Sequence, residues 1–124
     1  MIKIKHLLDT VEADDGERLW VEPIGLTNDL RSWCSVTHVL TNLGPPIMLW
    51  RWFQEHPEGY EYFRAKYHDH LSRGRRKKVV WHLAAAALQE DFTLIHQGDD
   101  PTQNSATALY EFLTELQAYV DKPQ

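Results

Sequence analysis

Apolar and polar residues alternate at the start of the chain. Ile2 and Ile4, continued by Leu7 and Leu8, take one side, and Lys3 and Lys5 take the other. A period of two is the period of a half-buried strand, so residues 2–8 are expected to be β. Asp14-Asp15-Gly16 reads as a turn, and residues 17–22 (Glu-Arg-Leu-Trp-Val-Glu) as a second strand that Pro23 stops. Further on the pattern loosens. Asn28-Asp29 can cap a short helix around Leu30 to Trp33, and a second short helix is expected over Val36 to Leu40 before Gly44-Pro45-Pro46 breaks the chain.

From residue 46 the apolar spacing changes to three and four. Leu49, Trp52 and Phe53 predict a helix over 46–55, and Pro57 suits the first turn of the next one. There Tyr60, Phe63, Tyr67 and Leu71 form a stripe expected to face the core. Ser72-Arg73-Gly74 ends that helix. A third helix is expected from about Arg75 to Gln89, with Val79, Val80, Leu83, Ala87 and Leu88 turned inward. Residues 92–96 (Phe-Thr-Leu-Ile-His) read as a compact strand. Asp100 is then the expected N-cap of a last helix, with Pro101 at its first position and Gln103 completing a capping box. That helix should run to about Val120 and bury Leu109, Phe112, Leu113, Leu116 and Val120, leaving Lys122-Pro123-Gln124 loose.

Strands at both ends of the chain with helices between and after them predict an α/β fold. The expectation is a small parallel or mixed sheet of about three strands, covered by about four to five helices, in a single domain over residues 1–124. The strand pairing that matters most joins residues 2–8 to residues 92–96.

Composition narrows the function more than the fold. A chain of 124 residues with 43% hydrophobic and 25% charged side chains is ordinary for one globular domain, which excludes wholesale disorder. The net charge of −5 opposes nonspecific nucleic-acid binding. The charge is unevenly spread, because Arg73, Arg75, Arg76, Lys77 and Lys78 supply 5 of the 13 basic residues. Placed at a helix start, these charges oppose the helix dipole, which points to acidic neighbours such as Glu58 or Asp69, or to an acidic partner. Cys34 is the single cysteine, expected as a packed small side chain in a reducing compartment. With no secretory signal pattern and no apolar stretch of membrane-spanning length, the expected setting is cytoplasmic and away from membranes.

Seven histidines invite a metal hypothesis, but His68 and His70 are two apart on a helix and point in different directions. No metal-ligand spacing, nucleophile elbow, phosphate loop or dinucleotide fingerprint is present, so neither a metal nor a cofactor is expected. The best candidate site lies at the carboxyl ends of the strands, where α/β proteins gather their ligands. Glu22 ends one strand, His96 ends another, and Gly98, Asp100 and Asn104 follow it into the last helix. The free amides of that helix could hold an anionic small ligand. The competing reading gives Asp100 to capping, Gly98 to a turn and Asn104 to backbone pairing.

Two stretches resemble the YeaO-like family of bacterial proteins, domain of unknown function 488. The first is Leu43-Gly44-Pro45-Pro46, Leu49, Arg51-Trp52-Phe53, Pro57, Tyr60, Phe63-Arg64 and Tyr67; the second is Thr93 to Asp100 with Asn104 and Ala106. Ile2-Lys3-Ile4, Gly16, Arg18 and Val21-Glu22 match more loosely. The chain also departs from the family pattern. Where the family usually has an aspartate and two arginines around a Trp-Pro pair, this chain has Val21-Glu22-Pro23-Ile24-Gly25-Leu26 and neither arginine. Trp50 replaces a charged position, Glu55-His56 replaces a His-Asp pair, and His96 replaces a tyrosine. The resemblance implies a divergent member acting as a noncatalytic or degenerate binding or interaction domain. The alternative is a small-ligand or anion-binding enzyme using Glu22, His96, Asp100 and Asn104. Five tryptophans are more than so small a core needs, which marks Trp50 as a candidate exposed contact in a homodimer.

Overall fold

The computed structural model describes residues 1–120; the expectation for residues 122–124 lies outside the described residues. Strand β1 (Ile2–His6) is followed by β2 (Glu17–Trp20), helix α1 (Asn28–Trp33), β3 (His38–Val39), α2 (Ile47–Glu55), α3 (Tyr60–Leu71), α4 (Gly74–Ala86), β4 (Phe92–His96) and α5 (Ser105–Val120). The strands form one sheet in the order β1-β4-β2-β3, and every pairing is parallel. The two chain-end strands therefore do meet, with Ile4 opposite Leu94 and His6 opposite His96.

The fourth strand corrects the helix expected over Val36 to Leu40. Helical propensity in so short a segment is weak, and the open edge of β2 offers stronger partners. The Thr37 and Leu40 amides donate to the Arg18 and Trp20 carbonyls, and the Thr37 hydroxyl oxygen accepts from the Arg18 amide. Gly16 allows the turn into β2. Its φ is +63°, and a Cβ there would lie 2.0 Å from the Asp91 carbonyl oxygen, so only glycine fits.

The sheet is covered unequally. Helices α2 to α5 pack on one face, where Leu19, Val21 and Leu94 meet the buried stripe Tyr60, Phe63, Tyr67 and Leu71 together with Leu109 and Leu113. The other face holds a smaller cluster of Leu7, Trp20, Cys34, Val36 and Ile95 under the loop that carries α1. Cys34 is a buried small side chain, as expected. Phe112 and Leu116 are only half-buried at the edge of the main core.

Two expected helix faces shift. In α4 the buried residues are Val80 and Ala84, with Ala87 just beyond; Val79 and Leu88 are exposed. The run of alanines carries no strong periodicity, so packing against α5 and α3 sets the rotation. The basic residues at its start behave partly as expected: Arg73 pairs with Asp69 at 3.0 Å, and the Arg76 guanidinium donates to the His70 carbonyl. Trp50 is half-buried rather than exposed, and its indole nitrogen is out of contact with solvent. The most exposed tryptophan is Trp33, at 84%.

Among the described residues no helix is long and apolar enough to cross a membrane.

Candidate functional site

At the carboxyl ends of the strands the chain closes a cavity of about 270 Å³ between the end of β2, the loop after β4, the start of α5 and the end of α2. Glu22, Gly98, Asp100 and Asn104 all line it, joined by Phe53, Gln54, Asp99 and Ser105. Four of the five residues singled out in the sequence thus share one wall. The fifth does not. His96 lines a neighbouring cleft of about 300 Å³ with Lys5, His6 and Asp9, and only Gly98 and Asp99 border both spaces.

Glu22 sits two residues past β2, where Pro23 ends the strand and the carboxylate reaches the next layer. Its residue exposure is 2%. One carboxylate oxygen, Oε2, accepts from the Gln97 amide at 3.2 Å; the other, Oε1, has no hydrogen-bond partner. Burial pushes the carboxyl above its usual range, opposed by the Ser105 hydroxyl, the Gln97 amide and the Trp50 indole. The Trp50 nitrogen is itself without a partner at hydrogen-bonding geometry. Burying a carboxylate without a cation is costly, and the neutral donors around Glu22 offset that cost only in part.

Asp100 and Asn104 have structural duties as well. Asp100 was the expected helix cap, yet α5 begins at Ser105. Asp100 instead caps a turn: its Oδ1 accepts from the Thr102 amide at 2.8 Å, the Thr102 hydroxyl at 2.9 Å and the Gln103 amide at 3.1 Å. Those donors hold its carboxyl below the usual range. The helix cap is Asn104, whose Oδ1 accepts from the Thr107 amide at 2.8 Å while its Nδ2 donates to the Asp100 carbonyl at 2.9 Å. The Asp-Pro pair and the glutamine three residues on fit either start; burial of Ala106, Ala108 and Leu109 fixed the later one.

His96 is buried at the end of β4 with its ring edge-on to His6, 5.5 Å between centroids. Burial and the neighbouring His6 lower its pKa to about 4, so the ring is neutral at physiological pH. Its Nδ1 has no partner. This ring does not share the cavity with Glu22, so the pair Glu22–His96 on which the enzyme reading rests is not brought together there.

A second charged centre escaped the sequence analysis. Asp15, 1% exposed, is held by Arg18 at 2.5 Å, Lys5 at 2.8 Å and Lys3 at 3.1 Å, and by the Glu12 amide. These partners outweigh burial and hold its carboxyl far below the usual range. The Arg18 guanidinium also donates to the Cys34 carbonyl, so both buried charges are satisfied. The one visible signal was the pair of lysines on the polar side of β1.

The family model of the inactive DUF488-N3 subclade matches residues 1–124. The chain belongs to that family. No curated protein and no solved structure matches it. In this DUF488 member Glu22, Asp99, Asp100, Asn104 and Ser105 share the cavity, and the stretch Val21-Glu22-Pro23-Ile24-Gly25-Leu26 carries no arginine. The groups that do line the space are hydrogen-bonding side chains and carboxylates, which are suited to holding a ligand.

Proposed function

We propose that this protein is a noncatalytic binding domain whose ligand occupies the cavity floored by Glu22. The observation that carries the reading is a carboxylate residue almost closed off from solvent that lines, with Asp99, Asp100, Asn104 and Ser105, a space large enough for a small molecule. Asn104 and Asp100 support the site by fixing the backbone around it, and Gly98 keeps the wall thin. Membership in an inactive subclade favours binding over turnover. The single buried Cys34 supports a cytoplasmic setting.

The test is a fragment screen by amide NMR on the whole chain, using small polar molecules of both charges. Saturable shifts confined to the amides of Gln97, Gly98 and Ser105 are the expected result. A screen in which no fragment moves those amides would remove the reading.

A further inference from the structure

We infer that the groove between α2 and α3 is a docking site for an acidic amphipathic segment of another protein. The inference goes beyond the cavity at Glu22 and does not depend on it, since the two spaces share no residue.

The groove encloses about 630 Å³. Its apolar walls are Met48, Leu49 and Trp52 of α2 and Tyr62 of α3. Helix α3 buries Tyr60, Phe63, Tyr67 and Leu71, which leaves Tyr62, Lys66 and Asp69 as a second stripe at spacings of four and three. Met48 is 70% exposed and Tyr62 53%. A small molecule needs walls that cover most of its surface. So open a trough suits a chain segment, and a methionine adapts to whatever lies on it. The aromatic wall is set in advance. The Trp52 ring stacks on His56 at 4.9 Å between centroids and tilts against Tyr62 at 4.8 Å. Gly59 leaves room for it, because a Cβ there would lie 2.3 Å from the indole.

Charge selects the partner. Lys66 and Arg73 border the groove beside the apolar walls. The Lys66 ammonium lies 5.6 Å from the centre of the Tyr62 ring and has no carboxylate partner among the described residues. The one carboxylate in the groove, Asp69, is engaged by Arg73 at 3.0 Å. Arg75, Lys77 and Lys78 follow Arg73 and also lack a carboxylate partner among the described residues. In a chain of net charge −5, cations are thus concentrated from the groove into the start of α4, where the helix dipole opposes them. A segment with carboxylates beside apolar side chains satisfies both halves of this surface. A nucleic acid would meet the cations and leave Met48 and Leu49 uncovered.

The test uses the whole chain and a labelled helical peptide of about 14 residues, four turns long. Leucines repeat at spacings of three and four, and glutamates fill the other positions. Fluorescence anisotropy should show saturable binding that weakens as salt is raised. The same peptide with lysine for glutamate should bind at least tenfold more weakly. Met48→Asp should cost at least tenfold, and Lys66→Glu several-fold. Both positions are on the surface, so the variants should fold as the parent does. Leu8→Asp, at an exposed leucine outside the groove, should change nothing. Peptide binding that Met48→Asp and Lys66→Glu both leave unchanged would overturn the inference. So would a single-stranded oligonucleotide that binds more tightly than the acidic peptide, or the absence of saturable binding by the acidic peptide. None of these results bears on the Glu22 cavity, which the fragment screen tests by itself.

Discussion

Two carboxylates sit at opposite ends of β2, both nearly sealed from solvent, and the protein treats them differently. Asp15, before the strand, is surrounded by Arg18, Lys3, Lys5 and a backbone amide, and has no unmet capacity. Glu22, after the strand, has no cation beside it; the Gln97 amide donates to one oxygen, and the Ser105 hydroxyl and Trp50 indole are the other groups that favour its charge. The first arrangement is how a fold secures a buried charge. The second leaves burial dominant over the neutral donors around the carboxylate, so its charge is favoured less than in water. Burial alone therefore does not fix a carboxylate's charge; the cations or neutral donors that meet it decide.

The sharpest way to break this comparison is Asp15→Ala. It strands the buried Arg18 guanidinium, so urea unfolding should show a loss of about 3–5 kcal/mol. The same centre predicts an acid limb. The Asp15 carboxyl is lowered in the folded state, so its stabilisation is present above the unfolded-state pKa and is lost as pH falls below about 4. Glu22 should behave with the opposite sign. Its carboxyl is raised by burial, so the folded state binds the proton more tightly and the group costs stability as pH rises through that range. Glu22→Gln should accordingly stabilise the unliganded protein at neutral pH by about 1 kcal/mol, with the gain vanishing near pH 4 in a denaturation series. A large destabilisation instead would make Glu22 a structural residue like Asp15.

Smaller effects sharpen the account of the cavity wall. Asn104→Ala removes the cap of α5 and should cost about 1 kcal/mol by thermal unfolding. Asp100→Ala should cost less, since it caps only an exposed turn; an equal or greater loss would restore Asp100 as the organiser of the helix start.

Much of the architecture was readable from periodicity. The alternation of Ile2 and Ile4 and the stripe from Tyr60 to Leu71 gave the right element and face, and the compact run Phe92 to His96 the right element. Leu7 and Leu8, expected on the side of Ile2 and Ile4, lie beyond β1, Leu7 in the opposite cluster and Leu8 exposed. The segment Val36 to Leu40 did not, because its state depends on the edge of β2, which is distant in sequence. Val79 and Leu88 were misplaced for a similar reason: an alanine-rich helix takes its rotation from whatever it packs against. Asp100 and Asn104 exchanged capping roles because local chemistry allowed both.

The sequence by itself determined an α/β chain of the DUF488 family, the meeting of its first and last strands, and four of the residues that line the cavity. Those follow from spacing and residue type, which act over a few positions. Only the tertiary structure decided that His96 stands in a separate cleft, that Trp50 turns inward, and that Asp15 rather than Glu22 receives the cations. Such outcomes depend on which side chains meet across the fold, and burial and pairing between distant segments are not encoded in any local pattern.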